Sequence, residues 1–591
     1  MNFRRNTIIV TFLFALLVYS RFVNLSWGLP YPFHPDERNM AIAIQQLHCV
    51  LLPSYNAFIH ECFNPHFFAY GQLPLYLGYG IVQLYHYITN SAVSIRFEEA
   101  IIGIRILSAI ASVINWVVCM SIVAHIYLKK EENESMSSSI WKLPLPVLLS
   151  SGLIFLYSPF FIQLAHFGTT ESLLMLFSSL LVLYAIRYLK WGLSLRRYMA
   201  LSGIVGGMAI ATKISSLIFL SVPVLLIVLH IAKEENKRFS ARAFFSAVKF
   251  ILLCAWIGFL FSPHNLISFS EFLGSMRYEG DVATGIFVFY TRQFFDTLPI
   301  VFQFVHVFPY VLGVGIFGFF LLGFIFLPYK KEYSVLRIVF LMIAIPNAFL
   351  YAKWTRFMAP VLPLMLVMAV LFIVLHIKQK VFLFIATLLL ILPGLGYLSI
   401  YTQEDVRFTA SRWIYSHIPE NAYVLSETAN VVDIPMSIPE ETIPLKPYKV
   451  ISFNFYDLDD NKGLQNELAK HIEQADYIFV PSRRIFANHY CEPKLEVLDL
   501  QDPTSPRGLG ATIGAGKEKC QKLREKYPML NDYYLKLFSG QLGFEKVAEF
   551  TSYPKIELFG KTLLEFPDEQ AEETWTVFDH PVIRIYKRLH N

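Results

Sequence analysis

Eleven stretches of this chain are apolar for long enough to cross a lipid bilayer, and that leaves few architectures open. They lie near 6–25, 101–127, 144–163, 170–189, 198–213, 214–232, 243–262, 300–327, 335–352, 357–377 and 380–400. About 20 residues of helix span the hydrocarbon. Inside it every backbone N–H and C=O must be satisfied within the protein, so each stretch must be a helix. The residue inventory agrees: 55% of the 591 residues are hydrophobic and only 16% are charged, against about 25% charged in soluble domains. The first stretch follows Arg4 and Arg5 as a signal peptide would. It is long enough to span and no small-residue cleavage site follows, so it reads as a retained first helix.

Charge orients these helices. Basic residues gather at Arg4/Arg5, Lys129/Lys130, Arg187 to Arg197, Lys233 to Arg242, Lys330 to Arg337 and Lys378/Lys380. If all six groups are cytoplasmic, eleven spans alternate without conflict. The N-terminus is then cytoplasmic, and everything after Tyr401 is extracytoplasmic. The expected product is a multi-pass protein of the cell membrane. Leu73 to Tyr87 is apolar but short and broken by Pro74, so it reads as an amphipathic helix along the outer interface. The net charge of +5 sits beside apolar segments. With no basic stripe and no phosphate-binding glycine loop, a nucleic-acid or nucleotide partner is not expected.

This topology sorts the remaining polar residues. The outer side receives the loop 26–100, the turn His166 to Glu171, the turn at Lys213, the loop 263–299, and Lys353-Trp354-Thr355-Arg356. Its first loop opens with Tyr31-Pro32-Phe33-His34-Pro35-Asp36-Glu37-Arg38. An acidic pair at a membrane boundary is a functional hypothesis by default. Pro32 and Pro35 are expected to keep this turn out of any helix. Five remote turns on one side can share one cavity.

After Ile400 the composition turns ordinary. Residues 1–401 form the membrane domain and 402–591 an extracytoplasmic α/β domain, large enough for its own core. Helices are expected over 404–417 and 461–474, and strands over 477–480 and 582–586. The fold class is therefore mostly α and polytopic with a C-terminal α/β domain. Cys119 and Cys254 lie inside spans. Cys49 and Cys62 share the first outer loop, and Cys491 and Cys520 share the outer domain. Two pairs on the exposed side suit disulfides in an oxidising compartment, the alternative being reduced thiols.

The order of these motifs is distinctive. A first membrane helix is followed by the aromatic-Pro-Asp-Glu turn and then by Pro65 to Pro74, which holds His66 and Tyr70. Next come His166 to Ser172, Gly206 to Lys213, and Lys353 to Phe357 followed by Pro360. Over roughly residues 1–400 this resembles the GT-C glycosyltransferases of the protein O-mannosyltransferase type, including the bacterial aminoarabinose transferases. The resemblance implies a GT-C fold and a polyprenyl-phosphate monosaccharide as donor. It also implies a protein, lipid or glycan acceptor approached from outside, and inversion at the sugar carbon. Asp36 matches the position that serves the acceptor, and Glu37 its acidic neighbour. Glu171 stands where many relatives carry Asp. Val577 to Val582 is similar to a tail found on some bacterial relatives, with no chemistry attached to it.

Elementary chemistry leads to the same residues. A departing phosphate needs neutralising, which Lys213, Arg356 and Lys353, or Arg277, could supply. An acceptor hydroxyl needs a base, and Asp36 suits, because Pro35 fixes its turn while Glu37 can pair with a cation. Inverting transfer needs only one base, since phosphate leaves without a proton donor. His166, Glu171, His66 and Tyr70 are supporting candidates. The aromatic segments 63–87 and 286–310 could line a groove for the lipid chain, with core packing as the plain alternative. His34, His60, His66, Asp36, Glu37 and Glu61 are metal-ligand types. Their spacing is irregular, so no cofactor is expected to be required, although a divalent metal stays open. The alternative functions are a lipid or sugar transporter or flippase, and a receptor whose outer domain does the work.

Overall fold

The computed structural model describes residues 2–49, 59–91, 94–129, 140–236, 240–285, 288–427, 432–438, 446–489 and 520–589. Among them, eight helices are long and apolar enough to cross a membrane, or ten if each of two bent pairs is one span. The stretch that separates ten from eleven is Leu195–Ile210, a helix of 16 residues. At 1.5 Å per residue it reaches only about 24 Å. Helix Leu73–Thr89 forms where an interfacial helix was expected and is not among the candidate spans.

The first of the bent pairs has a local cause. Helix Leu145–Leu156 stops before Ser158-Pro159 and resumes as Pro159–His166 at 46°, because proline cannot continue the backbone ladder. The freed carbonyl of Leu156 accepts from Arg21 at 2.8 Å, and Arg21 also donates to Ser112 Oγ at 3.1 Å. A buried cation thus satisfies a broken helix end. The expected span 300–327 is likewise two helices, ending at Leu312 and restarting at Val314 with a bend of 112°.

The centre of the bundle is the stretch Thr355–His376, 89% of whose apolar window is buried. A helix apolar all round belongs inside, and this one packs against Val314–Phe326, Phe97–Tyr127 and Glu171–Trp191. Lipid-facing rings and aliphatics lie on the outer helices, for example Phe244, Leu252 and Trp256 on Ala241–Phe261. Helix Phe97–Tyr127 has 31 residues, about 46 Å at that rise. It begins four residues before the expected span, and Arg105 lies near its N-terminal end.

The C-terminal domain holds a five-stranded sheet in which, from one edge, Lys449–Phe453 is followed by Tyr423–Glu427, Tyr477–Val480, Ile583–Arg588 and Phe544–Phe550. Its strands are β1 Tyr423–Glu427, β2 Lys449–Phe453, β3 Tyr477–Val480, β4 Phe544–Phe550 and β7 Ile583–Arg588. A hairpin, β5 Lys555–Leu558 with β6 Lys561–Glu565, stands apart. Strands β1 to β3 run parallel, and β7 is antiparallel to both neighbours. β1 and β3 are buried throughout, which explains the continuous apolar run of β3; β1 also buries Ser426 and Glu427. Helices Val406–His417 and Lys462–Gln474 form where expected. Cys49 and Cys62 form a disulfide. Cys491 lies outside the described residues, so the second expected pairing does too.

The sheet domain is fused to the bundle by the tail singled out in the sequence. His580 Nδ1 lies 2.6 Å from Asp579 Oδ1 and its Nε2 lies 3.0 Å from Asp568 Oδ2. Asp579 Oδ2 also accepts from Tyr397 at 3.0 Å, Tyr401 at 2.8 Å and Gln163 at 3.1 Å. Burial opposes the charge of His580, but the two carboxylates outweigh it and raise its pKa to about 10, from about 6.5 in an unfolded chain. Its contribution to stability is therefore complete below about pH 6.5 and is lost as pH rises through about 10. We expect the melting temperature in detergent to fall between pH 7 and pH 10, and His580→Gln to lower it at pH 7 while flattening that decline. An unchanged alkaline slope in the variant would contradict this assignment.

Candidate functional site

The acidic turn is built as a helix start. Pro35 does not exclude a helix but opens one, Pro35–Gln45, since proline at the first helical position has its φ preset and needs no N–H partner. His34 caps it, its Nδ1 accepting from the Asp36 N–H at 3.2 Å. Asp36 and Glu37 thus sit in the first turn, where the helix dipole favours negative charge.

From there the two carboxylates diverge. Glu37 is 1% exposed and faces inward. Arg105 grips it with two bonds, Nε to Oε1 at 2.6 Å and Nη2 to Oε2 at 2.7 Å. Gly168 N–H donates to the same carboxylate at 2.8 Å, and Arg105 continues to the carbonyls of Leu25 and Trp27 at 2.8 and 2.7 Å. A side chain at 168 would collide with Ile104 and crowd Glu37 Oε1. Glu37 therefore ties the loop after the first helix to helix Phe97–Tyr127 and to the 167–170 turn.

Asp36 stays partly exposed instead. Its carboxylate is paired with the Arg356 guanidinium, contributed from 320 residues away, and the Tyr70 hydroxyl faces it. Burial works against its charge, but Arg356, then His34, Tyr70 and Lys213, hold the carboxyl below the usual carboxylate range. Arg356 stacks on Trp354 at 4.5 Å. Lys213 lies 4.9 Å from the Tyr70 ring centre, 5.7 Å from that of Phe357 and 3.9 Å from Glu171 Oε1. Burial lowers the Lys213 pKa, and Glu171 is the first charge opposing that. Burial also raises the Tyr70 phenol well above its usual value, so it stays a donor. The cluster is not sealed: side-chain exposure is 20% for Asp36, 23% for Arg356 and 17% for Lys213.

Backbone pairing brings two of these motifs together. Gly71 N–H donates to the Thr212 carbonyl at 2.9 Å and Leu73 N–H to the Ala211 carbonyl at 3.1 Å. This lays Tyr70 beside Lys213. A Cβ at position 71 would stand 2.0 Å from the Ala211 carbonyl oxygen, a distance only glycine avoids. Gly71→Ala should separate the strips and lower any activity of the site at least tenfold. A kinetic comparison at matched folding, judged by melting temperature, would check this; full activity would contradict it.

Other expected residues fall elsewhere. Lys353 donates to the Tyr351 carbonyl at 3.2 Å, and burial lowers its pKa to about 8. None of its described contacts reaches the Asp36 cluster. His66 bridges Glu61 at 3.1 Å and Glu271 at 3.4 Å, clipping the first loop to the outer helix Phe269–Thr284. His166 bonds the carbonyls of Ile162 and Val23 at 2.8 and 2.9 Å and stacks on Tyr401. Of the aromatic segments, Tyr290, Phe294 and Phe302 build a wall with Trp354 beside Arg356. Among the described residues, no three His, Cys, Asp or Glu side chains are grouped so as to hold a metal ion.

Two participants were not expected. Arg105 had a visible signal, a lone charge at the edge of an apolar run, which predicts a buried partner. Glu279, on the outer helix, had none. It lies within electrostatic reach of Lys213 and Arg356. Although much of the residue is exposed, loss of hydration pushes its carboxyl above the usual range. The cluster therefore holds Asp36, Glu171 and Glu279 against Lys213 and Arg356, and its charges nearly balance.

No protein-family model matches the sequence, and no curated protein matches it. Solved structures with similar architecture include ArnT from Cupriavidus metallidurans bound to undecaprenyl phosphate. It is 13% identical, with a TM-score of 0.41, over 69% of this chain and 72% of that one. The apo form of ArnT is 15% identical at a TM-score of 0.41, over 70% of this chain and 66% of that one, so this chain spans just under two thirds of its length. The archaeal oligosaccharyltransferase AglB from Archaeoglobus fulgidus, in complex with an inhibitory peptide and a dolichol-phosphate, is 12% identical at a TM-score of 0.44, over 82% of this chain and 70% of that one.

Proposed function

We propose that this protein is an integral-membrane glycosyltransferase that moves a monosaccharide from a polyprenyl-phosphate carrier to an acceptor hydroxyl on the extracytoplasmic side. The observation that carries the reading is the meeting of Asp36, Tyr70, Lys213 and Arg356, from four remote segments, in one partly exposed cluster. A proton-accepting carboxylate beside two anion-binding cations, next to lipid-spanning helices, suits a lipid-phosphate donor and no nucleotide site.

The chemistry runs as a single displacement. The donor phosphate engages Arg356 and Lys213, so that Arg356 exchanges one anion, Asp36, for another. The freed Asp36 carboxylate then takes the proton of the acceptor hydroxyl while that oxygen attacks the sugar carbon from the face opposite the phosphate. The new C–O bond forms as the bond to the phosphate oxygen breaks, and the electron pair leaves with the phosphate. The carbon is inverted. The leaving phosphate gains one negative charge as Asp36 loses one, so the charge of the site is conserved through the step. Glu171 holds Lys213, and Glu279 faces the same cations from the outer side.

The test is reconstitution in lipid nanodiscs with a radiolabelled polyprenyl-phosphate sugar and protein, lipid and glycan acceptors. The reading expects label covalently attached to an acceptor, with release of polyprenyl phosphate. Movement of intact carrier across the bilayer with no covalent product would favour a flippase instead.

A further inference from the structure

We propose that the strip Asp568–His580 of the outer domain is part of the transfer site's own scaffolding, and that Glu572 is the positioning residue through which it sets Arg356. This rests on the transfer reading above. Glu572 is 2% exposed, and its carboxylate accepts from the Thr355 N–H at 3.0 Å and the Thr355 hydroxyl at 2.9 Å. Thr355 directly precedes Arg356, and those two bonds fix the start of the short turn that aims the guanidinium. Gln293 also donates to Glu572 at 3.2 Å, and the Glu572 N–H donates to the His306 carbonyl at 2.7 Å. Those two residues belong to the segment whose rings wall the site.

The strip reaches the other half of the cluster at its far end. The Phe578 ring packs on the His34 ring with centroids 4.4 Å apart, and His34 is the cap that holds the Asp36 N–H. Arg407 donates to the Val577 carbonyl at 2.6 Å and lies over Phe33 at 4.1 Å. One strip therefore touches the neighbour of the cation and the cap of the base, while His580 and Asp579 anchor it to the bundle. A domain serving only to recognise acceptors would not need a buried carboxylate on the backbone beside Arg356.

The experiment is a double-mutant cycle in the full-length protein, Glu572→Ala and Arg356→Ala singly and together. It reads undecaprenyl phosphate binding and the KM for the sugar donor. Glu572→Ala should raise donor KM about 10- to 100-fold, since small misplacements of a positioning group cost that much. It should do nothing further once Arg356 is gone. Glu572→Gln, which keeps an acceptor for Thr355, should restore part of the effect. Effects that multiply in the double mutant would overturn the proposal while leaving the transfer reading intact. An Arg356→Ala protein with unchanged donor binding and KM would remove both. Should Glu572→Ala not fold, Thr355→Val deletes only the hydroxyl bond and should show the same KM shift at smaller size; no shift there would overturn the proposal.

Discussion

Asp36→Asn should abolish sugar transfer, by about 10² to 10⁴-fold, while the protein folds and binds donor as before. A positioned general base contributes about that much, which is roughly 3–5 kcal/mol of barrier. Asparagine matches aspartate in shape and can still face Tyr70, so the cluster should keep its form. It cannot accept the acceptor's proton at neutral pH. It also removes the anion that Arg356 is paired with, so a donor phosphate meets less competition for the guanidinium. Donor KM should therefore stay level or fall as kcat collapses, a split that distinguishes lost chemistry from lost binding. Transfer within a few-fold of the unaltered protein would remove Asp36 from the reaction.

Glu37→Gln should do the opposite, costing the fold before the chemistry. Glu37 and Arg105 have side chains 1% and 3% exposed and share two short bonds. Removing one partner leaves a buried charge unpaired, which costs about 3–5 kcal/mol. The loss should appear as a lowered melting temperature in detergent and easier denaturation. Arg105→Met alone should be similarly damaging. Glu37→Leu with Arg105→Met should recover only part of the loss, because it leaves no orphan charge but strips the Gly168 N–H and the Leu25 and Trp27 carbonyls of their partners. A Glu37→Gln protein that melts like the unaltered one would contradict the structural role. Two adjacent carboxylates would thus have separable consequences, one in kcat and one in stability.

That separation shows how far residue types alone can go. The dipeptide Asp36-Glu37 announces an important turn, and Pro35 favours Asp36 as the base, with Glu37 free to pair with a cation. Which cation it finds depends on helix Phe97–Tyr127 arriving with Arg105 at the right height. Lys353 and Arg356 are three residues apart and carry the same kind of charge, yet only Arg356 reaches Asp36; Lys353 ends on the Tyr351 carbonyl. Glu279 has no local signal, because its role comes entirely from where its helix lies.

Much of the membrane architecture was determined by sequence alone, because in hydrocarbon an apolar run has no option but helix, and basic flanks suggest its orientation. The strand at 477–480 and one near 582–586 were legible in the residues, and Cys49 with Cys62 was one of two pairs that could be disulfides or thiols; Asp36, Lys213 and Arg356 were grouped by the topology that the basic flanks suggest and by the family resemblance. Tertiary structure alone decided the bends near Ser158 and Gly313, the inward turn of Glu37, the exclusion of Lys353, and the contact of Glu572 with Thr355. Those depend on contacts between residues tens to hundreds of positions apart. No periodicity encodes such contacts, since they exist only once packing has brought distant carbonyls, rings and charges within a few ångströms.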